Sequence, residues 1–162
     1  MTNSPPFSEQ LVQLKKYKGF GGKEELPGTT AAADRFVRAA YYVQHLPPAK
    51  DYREAIAGVL SVLRNVSQPF GVSDPARPYI STTRWRSVAD LTKGMYFYES
   101  VMSPNIVWVD TAKLNYAKGQ QVQKIALAKN YELIGDVTSQ FKPTKMFNFL
   151  KPDVQQDLKA AR

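Results

Sequence analysis

The sequence predicts an α+β fold in which a pair of helices packs on an antiparallel sheet. Three observations carry that expectation. Between residues 30 and 63, apolar residues recur at helical spacing in two runs separated by Pro47-Pro48. Between residues 81 and 110 the period drops to two, and the residues become β-branched and aromatic. The breaks inside that second region, Thr92-Lys93-Gly94 and Ser103-Pro104-Asn105, are too short for a crossover and join antiparallel neighbours.

The elements follow in order. Phe7, Leu11 and Leu14 mark a first helix from Phe7 to Tyr17, with Ser8 as its N-cap and Gly19 closing it. Gly19-Phe20-Gly21-Gly22 and Leu26-Pro27-Gly28 cannot continue a helix and read as loop. A second helix runs from about Thr30 to Leu46, burying Phe36, Ala39, Ala40 and Val43 and ending at Pro47-Pro48. The third starts at Asp51, with Glu54 completing a capping box, and carries a stripe of Tyr52, Ala55, Ile56, Val59, Leu60 and Leu63. Strands are expected over Ser81–Asp90, Met95–Ser100 and Ile106–Asp110, with Val122–Leu127 a fourth candidate. From Phe141 the chain becomes a wrapping tail with a short terminal helix, so one domain is drawn over 1–150 and a tail over 151–162. Trp85, Tyr96, Phe97, Tyr98 and Trp108 put apolar bulk on both strand faces. Helices cover one such face; nothing obvious in the chain covers the other, as in half of a larger body.

Composition narrows the chemistry. With 43% apolar and 22% charged residues, the 162-residue chain reads as soluble and globular, without a membrane partner. Met1-Thr2-Asn3-Ser4-Pro5-Pro6 has neither a basic nor an apolar stretch, so no signal peptide is expected here. The absence of cysteine excludes disulfides, thiolate metal sites and a cysteine nucleophile within this chain. A single histidine, His45, excludes His-rich metal sites and sits where the second helix ends, a position that suits a cation. No cofactor or metal is expected. The net charge of +8 comes from scattered residues such as Lys15, Lys16, Arg84, Lys142 and Lys145. That is a solvated basic surface rather than a nucleic-acid-binding tail.

Three stretches carry a resemblance. They are Met1-Thr2-Asn3-Ser4-Pro5; Leu26-Pro27-Gly28 followed after six residues by Arg35-Phe36-Val37-Arg38-Ala39-Ala40; and Ile80-Ser81-Thr82-Thr83-Arg84-Trp85 with Met95-Tyr96-Phe97-Tyr98. In this order and spacing they resemble the choloylglycine hydrolase family, which includes bile-salt hydrolases and penicillin V acylases, and above all its Gram-negative penicillin-acylase-like branch.

The resemblance implies an N-terminal-nucleophile (Ntn) αββα sandwich of which this chain is the C-terminal half, the N-terminal half being missing. It implies attack on a small linear amide (penicillin V, a conjugated bile acid or an acyl-homoserine lactone) by an N-terminal cysteine that lies outside this sequence. The matching oxyanion donor is Asn3 and the matching active-site arginine is Arg35. It further implies periplasmic Gram-negative relatives and a homo-oligomer, and an isolated chain without amidase activity.

The residues themselves are compatible with these roles. An Asn amide offers two N–H donors, and Pro5 and Pro6 restrict the backbone that follows it. A guanidinium keeps its charge and favours a thiolate beside it. Equally, an Asn before prolines is often a turn residue, and Asp34-Arg35 at a helix start often serves surface pairing. Arg38, one turn on, reads as structural, and Trp85 with Tyr96–Tyr98 as core. Loss of Met1 would give Thr2 a free amine, a second conceivable nucleophile, but the resemblance sets Thr2 inside a strand. The alternative to an amidase segment is a non-enzymatic α/β fragment that serves as a binding or assembly module.

Overall fold

The structure is a computed structural model and describes residues 4–71, 75–76, 82–127 and 130–149. Helix α1 (Phe7–Leu14) begins directly after Pro6, whose carbonyl accepts the backbone N–H groups of Glu9 and Gln10, both at 3.0 Å. Pro6 is therefore the N-cap; Ser8 lies inside the first turn and caps nothing. The helix also ends earlier than expected. After Lys15 the chain doubles back, the Glu24 N–H donating to the Lys16 carbonyl at 2.9 Å and the Lys18 N–H to the Glu24 carbonyl at 2.8 Å.

Gly22 makes that return possible. A Cβ there would lie 2.0 Å from the Lys16 carbonyl, which is backbone and cannot swing aside. Gly22→Ala should therefore destabilise the chain by about 1–3 kcal/mol, the range for forced overpacking. Gly28, with open space around its Cβ position, should tolerate alanine in the same urea titration. Equal midpoints for the two variants would contradict this reading.

Helices α2 (Ala32–His45) and α3 (Tyr52–Asn65) pack on each other across the Pro47-Pro48 turn. Asp51 caps α3 by accepting the Glu54 N–H at 2.8 Å. Glu54 reaches back to the Lys50 N–H at 2.7 Å, one residue before the cap. The buried stripes are rotated from expectation. In α2 it is Val37 that is enclosed, while Val43, with no described element over it, is 62% exposed. In α3, Leu60 and Val62 are buried, whereas Val59 is half-exposed and Ala55 exposed. The helix meets α2 on one side and the sheet on another, so its apolar surface is not a single line.

Strands β2 (Met95–Ser100) and β3 (Ile106–Asp110) have the expected bounds; β1 (Trp85–Asp90) is shorter at its start. Residues 82–84 are not strand, and Ser81 lies outside the described residues. Gly94, at φ +66°, turns β1 into β2, and Asp90 Oδ1 accepts the Thr92 and Lys93 N–H groups at 2.9 and 3.3 Å. Val122–Leu127 is not a fourth strand of this sheet. Only β4 (Gln123–Lys124) forms there, and it pairs with β6 (Lys142–Pro143) in a separate ribbon. The fourth strand is instead β5 (Gly135–Asp136), parallel to β3, giving the order β1-β2-β3-β5. The expected terminal helix lies outside the described residues.

Register divides the sheet into two unlike faces. Toward α3 stand the aligned rows Val88–Phe97–Trp108 and Arg86–Glu99–Ile106. Here the buried Glu99 carboxylate meets Arg64 of α3 at 2.9 Å and Arg86 of β1 at 3.2 Å. The opposite face carries Ala89–Tyr96–Val109 and Ser87–Tyr98–Val107, with Trp85 beside Ser100. Leu127 and Leu133 approach Tyr98 and Val107, but Trp85 is 57% and Tyr96 42% exposed, so neither is core within this chain.

Candidate functional site

The site begins with how α2 is entered. The segment Pro27–Thr30 has no backbone partner among the described residues and is held by side chains instead. Arg38 Nη1 donates to the Pro27 carbonyl at 2.9 Å and to the Thr29 carbonyl at 2.8 Å. Gln68 Nε2 donates to the Thr30 carbonyl at 3.1 Å, and Gln68 is itself buried and fixed through its N–H to Thr83 Oγ1 at 2.9 Å. Thr29 Oγ1 accepts the Ala31 N–H and donates to the Asp34 carboxylate.

Arg38 is thus a structural brace, as its sequence position suggested. Arg38→Ala frees two carbonyls bound by a charged donor. It should cost about 1.5–3 kcal/mol, read as a lowered thermal midpoint and faster amide exchange at Thr30 and Ala31. Unchanged exchange at those two amides would rule the brace out.

On this anchored start sits Arg35, the fourth residue of α2, its N–H bonded to the Ala31 carbonyl at 3.0 Å. Asp34 is engaged by Thr29, so the expected surface pairing of Asp34 with Arg35 is not what the structure has. Arg35 Nε is buried and makes no hydrogen bond; only the Tyr52 hydroxyl shares that condition among the described residues. The Tyr52 oxygen stands by Asp90 without closing a bond of ordinary geometry. Burial first, then that carboxylate, push its phenol pKa up. A buried guanidinium donor without an acceptor carries an uncompensated desolvation cost.

Asn3 and Thr2 lie outside the described residues. The described chain starts at Ser4, and the Phe7 ring meets the Phe36 ring edge-on at 6.3 Å. Buried Gln10 donates to the Pro5 carbonyl. The segment following Asn3 is therefore packed beside the residue next to Arg35.

Elsewhere, an apolar cavity of about 440 Å³ lies between α3 and the sheet, floored by Met95, Phe97, Ile106 and Trp108 and away from Arg35. His45 stacks on Tyr41 with ring centroids 4.0 Å apart, its Nδ1 2.7 Å from the Tyr41 carbonyl, which assigns it to the helix end. Among the described residues no cluster of His, Asp and Glu could hold a metal ion, and no helix is long and apolar enough to cross a membrane. Sequence reasoning missed Gln68 and Glu99. Glu99 follows the apolar run Met95–Tyr98, which is the signal that was available; Gln68, beside Asn65 and Ser67, offered none.

The sequence model of the linear amide C–N hydrolases, choloylglycine hydrolase family, matches residues 1–126. The chain belongs to this family. Among the family's members, the penicillin V acylase of Pectobacterium atrosepticum is 42% identical over 164 residues, covering 92% of this chain and 44% of that protein. The penicillin V acylase structure from Agrobacterium tumefaciens superposes with a TM-score of 0.81 at 46% identity, covering 93% of this chain and 48% of its own. A conjugated bile acid hydrolase of Lactobacillus acidophilus is 31% identical over 88 residues, covering 41% of this chain and 28% of that protein. This choloylglycine hydrolase family chain therefore spans about half the length of the acylases it matches. Its mixed architecture, three helices and an antiparallel-dominated sheet among the described residues, is that of the corresponding part of an Ntn hydrolase.

Proposed function

We propose that residues 1–150 form the C-terminal half of an amidase that hydrolyses linear C–N amides, and that the nucleophile comes from a complementary half. The observation that carries this is the buried, unpaired Arg35 Nε on a side-chain-locked helix start, in a chain without cysteine. Family membership supplies the chemistry. The complementary half brings a cysteine whose thiol passes its proton to its own α-amine, and the resulting thiolate attacks the amide carbonyl carbon. The carbonyl oxygen becomes an oxyanion, to which the Asn3 side chain donates an N–H. Collapse breaks the C–N bond, and the α-ammonium protonates the departing amine. Water then hydrolyses the thioester, releasing the carboxylic acid and restoring the thiolate. Arg35 sits beside the sulfur and favours its charged form.

The substrate class is a small acyl amide: penicillin V, a conjugated bile acid or an acyl-homoserine lactone. The chain by itself is inactive, because the attacking atom is not in it. The test co-expresses it with the upstream portion of the Pectobacterium acylase and follows penicillin V hydrolysis. Hydrolysis is expected from the pair and not from the chain alone. Asn3→Ala should lower kcat by about 10²–10³-fold, the usual effect of deleting one oxyanion donor. Activity from the chain alone would overturn the claim that the nucleophile lies outside it, and a pair that binds but never hydrolyses any of the three substrates would favour the non-enzymatic assembly module instead.

A further inference from the structure

We infer that Gln68 is the positioning residue for Arg35: its buried side-chain amide ties the start of α2 to the entrance of the sheet and so fixes where the guanidinium stands. The inference deepens the amidase reading and rests on it for what concerns rate. What concerns placement stands on the chain alone.

Arg35 needs an anchor from outside. Its buried Nε makes no hydrogen bond, so that atom does nothing to hold the side chain where it is. The helix that carries it is not secured by its own cap. The N-cap is Ala31, whose side chain accepts nothing, where Ser, Thr, Asp or Asn would bond the first turn. The placement of Arg35 therefore depends on what holds the three carbonyls before the helix.

Those carbonyls are taken one by one. That of Ala31 accepts the Arg35 N–H at 3.0 Å, and that of Thr29 accepts Arg38 Nη1 at 2.8 Å. Both donors belong to α2, so both bonds would move with the helix. The Thr30 carbonyl between them accepts Gln68 Nε2 at 3.1 Å, from a residue that follows α3.

Gln68 is itself held at both ends of its backbone. Its N–H donates to Thr83 Oγ1 at 2.9 Å and its carbonyl accepts the Thr83 N–H at 3.4 Å, two residues before β1. Next to it, Ser67 Oγ donates to the Leu63 carbonyl of α3 and accepts Arg86 Nε of β1. So α3, β1 and the lead-in to α2 meet at residues 67–68, and the Gln68 amide carries the position of the first two to the third. Glutamine suits this task. It puts an N–H donor at the end of two methylenes and has no charge to desolvate.

Two variants remove the clamp. Gln68→Met keeps length and bulk without a donor, and Gln68→Asn keeps the amide one methylene short. The control is Gly94→Ala, which strains the far end of β1: φ there is +66°, and Thr111 Oγ1 lies 2.9 Å from the Cβ position. The first readout uses the whole chain alone. It is solvent exchange of the Arg35 Nε–H, followed by NMR of nitrogen-labelled arginine and assigned by its loss in Arg35→Ala. Exchange should be at least about tenfold faster in both Gln68 variants, the opening that one lost hydrogen bond permits. It should be unchanged in Gly94→Ala.

The second readout uses the chain assembled with the upstream portion of the Pectobacterium acylase. Gln68→Met should lower kcat for penicillin V by about tenfold with KM nearly unchanged, because a displaced guanidinium is felt at the reacting sulfur and not in binding. The acidic limb of the pH profile should move upward, by less than in Arg35→Ala. Gly94→Ala should move neither.

Equal exchange in the unsubstituted chain and both Gln68 variants would overturn the inference, whatever the assembly does. Equal acceleration by Gly94→Ala would reduce it to general destabilisation and overturn it too. So would faster exchange in a hydrolysing assembly whose kcat and acidic limb stay put. An assembly in which even the unsubstituted chain never hydrolyses would sink the amidase reading, while the exchange rates still decide whether Gln68 places Arg35.

Discussion

In the assembled amidase, Arg35→Ala is expected to lower kcat/KM by about 10²–10³-fold and to shift the acidic limb of its pH profile upward by about one to two units. A cation beside a thiol favours the thiolate and depresses its pKa. Removing that cation raises the pKa, so the thiolate is lost at a higher pH than before. Arg35→Lys keeps a charge but loses the planar fork, and it should retain more of the profile than of the rate.

The stability of the isolated chain separates this role from a structural one. Arg35 Nε has no hydrogen bond to lose, so Arg35→Ala should leave the thermal midpoint nearly unchanged or slightly raised. Arg38→Ala should lower it, because Arg38 holds two carbonyls. A midpoint that falls equally for both would assign Arg35 to the scaffold.

Glu99→Ala should be the most destabilising substitution in the chain, by about 3 kcal/mol, with a fall in thermal midpoint of about 6–12 °C. Glu99 is 7% exposed, accepts from Arg64 of α3, with Nη2 at 2.9 Å and Nε at 3.1 Å, and forms an ion pair with Arg86 Nη1 at 3.2 Å. Arg86 Nε continues to Ser67 Oγ at 2.9 Å, and Ser67 Oγ donates to the Leu63 carbonyl at 2.6 Å. One carboxylate thus ties the end of the α3 helix to two strands. Deleting it leaves the Arg86 guanidinium desolvated without its counter-charge.

The three partners should not be equal. The Arg64 side chain is 51% exposed and can return to water, so Arg64→Ala should cost about 1 kcal/mol or less. Arg86→Ala should fall between the two. Urea midpoints for the three variants give this order directly, and an Arg64→Ala loss as large as that of Glu99→Ala would refute it.

What could be read from the sequence was what local pattern dictates. The bounds of β2 and β3 follow from alternating aromatic and β-branched residues closed by Gly94 and by Ser103-Pro104. The cap of α3 follows from Asp51 and Glu54, whose side chains act within one turn. The strand β5 was illegible because Gly135 and Asp136 are poor strand formers. They are extended only because β3, far back in the chain, offers a free edge. Val37 rather than Val43 is buried for a similar reason: the apolar face of α2 is wider than the elements available to cover it. Arg35 stood out only through family resemblance, since its Asp34 neighbour suggested a surface pair. The Thr29–Asp34 bond that removes that pairing is tertiary detail. The role of Glu99 was not legible, because it depends on an arginine 35 residues earlier.

The central claim is that Arg35 and Asn3 flank one reaction centre whose sulfur belongs to a complementary half. The most direct measurement is a crystal structure of the assembled protein with a slowly hydrolysed amide bound. The account predicts Arg35 Nε within hydrogen-bond distance of the cysteine sulfur and the Asn3 amide on the substrate carbonyl oxygen. Arg35 turned toward solvent, or Asn3 and Arg35 on opposite faces of the sheet, would contradict it.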